Sequence, residues 1–250
     1  MLAGYSSRIL LGLVLGGIAA AGNLIGGLAV SRVQSSLGYL KHFIALGAGF
    51  MLATAFLEMI PESLRISPND ELVFVLVLAG YLLIHFFEHT VAPHFHFGEE
   101  THHAEVAHKH AGSAALLGLI IHTFFDGVAI ASAVMVDVWL GALVFVAIFL
   151  HKLPEGFAIA SMMLANGQTR RVAFLSSAVL GASTLAGVAF MYAFKTSVTL
   201  ALPLSAGVSI YVAASDLIPE VNHEPGVTMA LLVFCGAALM LILRWLAPTL

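Results

Sequence analysis

Two short motifs hold most of the chemistry this chain can offer. HTFFDGVAIAS at 122–132 and HKLPEGFAIAS at 151–161 each set a histidine four residues before an acid, His122 with Asp126 and His151 with Glu155. Residues at i and i+4 lie on one face of an α-helix, one turn apart, so each motif projects an imidazole and a carboxylate together. Two such helices face to face would gather two nitrogens and two oxygens about one point. That donor set suits Zn²⁺, which binds nitrogen and oxygen in a roughly tetrahedral shell. Imidazole also suits Fe²⁺, Ni²⁺ and Co²⁺, and carboxylate suits Mn²⁺, so the ligand types alone select no single metal.

The surroundings make these groups costly to hold. The chain has 250 residues, of which 60% are hydrophobic and 10% charged, with a mean hydropathy of +1.00. Soluble domains carry about a quarter charged residues, so the composition is that of an integral membrane protein. Apolar runs of roughly 20 residues, enough to cross a hydrocarbon core of about 30 Å, fall near 9–31, 42–60, 72–92, 112–136, 138–165, 172–194, 200–219 and 227–247. Eight transmembrane helices in an all-α membrane protein are therefore expected, forming a single domain over 1–250. The opening MLAGYSSRIL has no basic stretch followed by a cleavage site, so the first span is expected to be retained.

Both motifs fall near the middle of their spans. An ionisable group at a helix centre costs about 2.5–3.5 kcal/mol, so Asp126, Lys152 and Glu155 together cost roughly 10 kcal/mol. A bound cation offsets such a cost by neutralising the acids. Pro154 removes a backbone N–H and displaces the Leu150 carbonyl, so a bend is expected beside the motif. Gly127 and Gly156 allow neighbouring helices to approach closely.

Other features narrow the class. A net charge of −4 gives no reason to expect nucleic acid as a partner, and a single cysteine, Cys235, excludes an intramolecular disulfide or a cysteine metal cluster. Loops after odd-numbered spans hold Arg32, Lys41, Lys109, Arg170 and Arg171 against Arg8, Arg65, Lys195 and Arg244 on the other side. That bias puts the odd-numbered loops inside and both termini outside. The expected setting is a plasma membrane, the inner membrane if the source is bacterial.

Internal similarity orders the spans. The two motifs match each other on adjacent spans. GFMLATAFLEMIPE at 49–62 matches GVSIYVAASDLIPE at 207–220 in its opening Gly, a central Ala and the closing Ile-Pro-Glu, with Glu58 opposite Asp216. Each match pairs an odd-numbered with an even-numbered span, which implies inverted copies in a 3+2+3 arrangement. Pro61 and Pro219 are expected to end their helices. There Glu58 and Glu62 at one end, and Asp216 and Glu220 at the other, would form vestibules that concentrate cations.

At these residues the chain resembles the ZIP (Zrt-, Irt-like protein) family of divalent metal transporters. HTFFDG and HKLPEG look like its fourth- and fifth-helix signatures, GFMLATAFLEMIPE like its second helix and GYLLIHFFEH like its third. The resemblance implies Zn²⁺ or a similar divalent ion as transported substrate, moved into the cytoplasm past a site between the fourth and fifth helices. Site residues carried over are His122, Asp126, His151 and Glu155, with Met51 as a nearby soft ligand. It also implies an elevator-like motion of helices 1, 4, 5 and 6 against 2, 3, 7 and 8. Oligomeric state stays open, a homodimer among the alternatives. Some bacterial members hold a second metal with a helix-4 Asn, a helix-5 Asp and a helix-6 Glu. Here Thr123 and Lys152 stand at the first two positions, and no acid occurs between Glu155 and Asp216. One metal is expected, with the Lys152 ammonium substituting for the second.

Two rival readings remain. HFFEH at 85–89 fits the H-x-x-E-H pattern of inverted zinc proteases, but no downstream partner completes a catalytic site, so no enzyme is expected. A metal-selective channel or a metal-sensing protein would share the same ligands. Finally, His94, His96, His102, His103, His108 and His110 crowd a segment at about 93–111 that would lie on the cytoplasmic side. Such tracts bind metal. Deleting 94–110 should leave basal metal uptake mostly intact in a flux assay; total loss would make the segment part of the path.

Overall fold

The computed structural model describes residues 2–32, 40–90, 111–194, 198–222, 224 and 226–246. The histidine-rich segment lies outside these. Within them the chain is helical, and eight helices are long and apolar enough to cross a membrane. They are α1 (Leu2–Arg32), α2 (Leu40–Thr54, Ala55–Met59 and Ile60–Ile66), α3 (Asp70–Thr90), α4 (Ala111–Val136), α5 (Val138–Ala165), α6 (Arg170–Ala193), α7 (Val198–Tyr211, Val212–Leu217 and Ile218–Asn222) and α8 (Thr228–Leu246).

Pro61 and Pro219 do not end their helices. Each follows a π-helical turn, Ala55–Met59 in α2 and Val212–Leu217 in α7. Proline has no N–H to give the carbonyl four residues back, so Leu57 and Ser215 lose that bond. The ladder widens just before each proline, with the Ile60 N–H reaching Ala55 O and the Ile218 N–H reaching Ala213 O. A wider turn lets the helix continue, and such turns recur at functional sites. α5 likewise runs unbroken through Pro154.

Packing divides the helices into two sets. α1, α4, α5 and α6 all touch one another; in the other set α2 packs on α8, α3 on α7, and α2 on α7. The main bridges between sets are α2 on α5 and α4 on α7.

Four helix pairs cross on reciprocal glycines. In α1–α5 a Cβ on Gly26 would lie 2.2 Å from Leu153 O, and one on Gly156 would lie 2.1 Å from Asn23 O. In α4–α6, Gly127 meets Thr184 O at 1.9 Å and Gly187 meets Phe124 O at 2.0 Å. In α2–α8, Gly49 meets Val233 O and Gly236 meets Leu46 O; in α3–α7, Gly80 meets Leu204 O and Gly207 meets Val77 O. Every glycine thus rests on the carbonyl three residues before its partner glycine. Hydrocarbon gives helices no hydrophobic drive to associate, so close backbone contact over small residues must hold such pairs.

These contacts predict sharp position dependence. Gly156→Val should lower the melting temperature in detergent by several degrees, since overpacking costs about 1–3 kcal/mol. Gly17→Ala, where nothing lies within 4 Å of the added Cβ, should leave it unchanged. Thermal unfolding followed by size-exclusion chromatography measures both.

Candidate metal centre

α4 and α5 meet at the two motifs, and their histidines and acids converge as the i, i+4 spacing requires. His122 is 4% exposed, Asp126 2%, His151 1% and Glu155 0%. One ligand atom from each lies within 4.8 Å of all the others. His122 Nε2 is 3.5 Å from His151 Nε2, and Asp126 Oδ2 is 3.2 Å from the former and 3.5 Å from the latter. Metal bonds of about 2.0–2.2 Å in a tetrahedron put neighbouring ligands roughly 3.3–3.6 Å apart, so these three atoms already outline one face of a zinc shell.

Hydrogen bonds behind the cluster orient the set. His151 donates Nδ1–H to Ala147 O at 3.2 Å, which leaves its Nε2 lone pair facing the cluster. Glu155 Oε2 accepts from Lys152 Nζ at 2.6 Å, while its buried Oε1 has no hydrogen-bond partner. A buried carboxylate oxygen without a partner is costly, and a cation would satisfy it. Lys152, itself 0% exposed, also donates to Asp126 Oδ2 at 2.5 Å. Its ammonium therefore sits between the two acids.

Other expected residues take different places. Thr123 is buried, but its hydroxyl turns back to Ile120 O at 3.1 Å. Met51 is buried in the largest apolar cluster with Ala147 and Val212. Glu62 forms an exposed ion pair with Arg65, and Glu58 pairs with Arg244 Nε at 3.0 Å. Glu220 is 5% exposed.

Asp216 lies deeper than a vestibule residue would, at 7% exposed. It lines a narrow cavity with Glu88, Leu119, His122, His151, Glu155, Val212 and Leu217. Sequence reasoning met Glu88 only as the acid of HFFEH and gave it no place beside the metal centre, since an acid in the last turn of an apolar span suits any helix end facing water. Here it accepts from Tyr211 Oη at 2.9 Å. Only the third helix's packing on α7 brings it to the cavity. His85 and His89 lie with their tilted rings 4.1 Å apart between centroids and are exposed, so the HFFEH histidines stand apart from the buried cluster.

Comparison with known proteins follows the same residues. A family profile described as ZIP Zinc transporter matches residues 108–244, which include both motifs. The chain is similar to zinc transporter ZIP9-A of Xenopus laevis, 25% identical with 90% of each chain covered. It is equally similar to zinc transporter ZIP9 of Xenopus tropicalis, 25% identical over 89% of each. Zinc transporter ZIP6 of Homo sapiens is 32% identical over 46% of this chain and 17% of that protein.

The geometry separates candidate ligands from neighbours. By titration calorimetry, His151→Ala should weaken Zn²⁺ binding by more than about 10-fold, the least expected even for loss of a ligand's outer partner. Thr123→Ala should bind as the parent does.

Proposed function

The chain belongs to the ZIP zinc transporter family, and from that premise we propose that it carries Zn²⁺ across the membrane through the four-residue site between α4 and α5. Family members are transporters, not enzymes, and zinc or a similar divalent metal is the transported substrate. Iron, manganese, cobalt and cadmium are further substrates compatible with the donor set. The observation that carries the reading is the buried cluster of His122, Asp126, His151 and Glu155, a grouping that lipid would penalise without a cation to hold.

Transport runs toward the cytoplasm in this reading, with both termini outside and the whole chain acting as one domain in a plasma membrane. The narrow cavity leads from the cluster toward Glu88 and Asp216, at the α3 end that precedes the histidine-rich segment. That segment would receive ions as they leave. An inverted repeat and an elevator-like motion draw support from the two helix sets and from the matching π-helical turns of α2 and α7. A homodimer is the proposed assembly, its interface unassigned.

Lys152 tunes the site for one ion. Two carboxylates alone would hold a divalent cation tightly in a low-dielectric interior. The ammonium already shares both acids, so an arriving ion gains less and departs more readily. The ligand set thereby favours turnover over storage.

Proteoliposomes test both claims. Zinc uptake should saturate in the parent and vanish in His122→Ala and His151→Ala; currents that never saturate would mean a pore. Lys152→Asp should raise bound metal above one per chain and slow transport. No change in either quantity would remove Lys152 from the mechanism.

A further inference from the structure

The reciprocal glycines give a register for comparing the two ends of the molecule. The α3–α7 crossing at Gly80 and Gly207 has the same contacts as the α8–α2 crossing at Gly236 and Gly49. Counting from these glycines aligns side chains that occupy equivalent places. Asp216 follows Gly207 by nine residues, as Glu58 follows Gly49; Glu88 follows Gly80 by eight, as Arg244 follows Gly236. Glu58 and Asp216 both lie in π-helical turns.

The backbone frames agree, but their linings do not. In the α3–α7 crossing, Tyr211 Oη donates to Glu88, Tyr81 Oη and Ser215 Oγ are 3.1 Å apart, and Asp216 lines the cavity. The same counts in the α8–α2 crossing reach Ala53 for Tyr211, Ala237 for Tyr81 and Leu57 for Ser215. Two acids at one end become an acid and a base at the other, where Arg244 Nε meets Glu58 Oε1 at 3.0 Å.

We propose that Arg244 is a positioning residue for transport, a tethered cation that engages Glu58 and keeps the α2–α8 end closed while the α3–α7 end stays open. Its guanidinium stands where the other end offers the Glu88 carboxylate. An ion arriving at the α2–α8 end must displace it to use Glu58. The apolar Ala53 and Leu57 behind it admit no water path until that happens. The cavity at the α3–α7 end has the opposite character, its carboxylates, Glu88 and Asp216 among them, able to replace the shell of a departing ion. The two ends are thereby unequal although their crossings are alike.

This inference rests on the transport reading, and its test separates the two. In a Cys235→Ser background, Ala53→Cys is labelled in membrane vesicles by an impermeant thiol reagent applied from the α2–α8 side, with and without Arg244→Gln. Zinc uptake is measured in parallel. Arg244→Gln should speed labelling by about fivefold, the ratio that a partly exposed ion pair can hold, and should lower the KM for zinc more than it changes the maximal rate. Arg244→Lys should restore the parental behaviour, which a role in folding alone would not predict. Equal labelling rates and equal KM values in the parent and Arg244→Gln would overturn the proposal. A parent that moves no zinc would instead overturn the transport reading, with the labelling comparison still deciding whether Arg244 holds this end shut.

Discussion

The contact on which the rest of this structure depends is the bridge from Lys152 to Asp126 and Glu155. Three ionised groups in the middle of a helical bundle are tolerable only together, because leaving one buried charge without its partner costs several kcal/mol. The bridge ties α4 to α5, and the reciprocal glycines tie those helices to α6 and α1. A compact set of four helices thus surrounds one polar centre. The two imidazoles add donor atoms there without adding charge when they are neutral, as metal binding requires.

Around that centre the fold economises on side chains. Crossing helices over glycine brings backbone against backbone, so the space saved is given to the few large polar groups inside. The π-helical turns of α2 and α7 serve a related purpose. They carry each helix past a proline and free carbonyl groups near Glu58 and Asp216, where polar groups beside a path are useful. Repeating the same crossings at both ends supplies a common scaffold. Substituting a few residues on it leaves two acids at one end and an acid paired with an arginine at the other.

Local spacing made the centre legible in the sequence. His122 with Asp126, and His151 with Glu155, required only helical periodicity to be paired, and eight spans followed from hydropathy and length. Pro61 and Pro219 misled because proline normally interrupts a helix, and the compensating π-helical turns depend on hydrogen bonds that local sequence does not display. Glu88 was visible only as the acid of HFFEH: its partner, Tyr211, lies more than a hundred residues away, so its place at the cavity depended on tertiary packing. The pairing of Glu58 with Arg244 is likewise tertiary. Lys152 was readable as a neighbour of Glu155, but its second bond, to Asp126, required the packing of α4 on α5.

Zinc-edge anomalous scattering from crystals soaked in Zn²⁺ addresses the central claim most directly. One peak should lie among His122 Nε2, His151 Nε2, Asp126 and Glu155, at bond lengths of about 2.0–2.2 Å. Crystals with zinc bound elsewhere, and no anomalous density among these four side chains, would contradict the account.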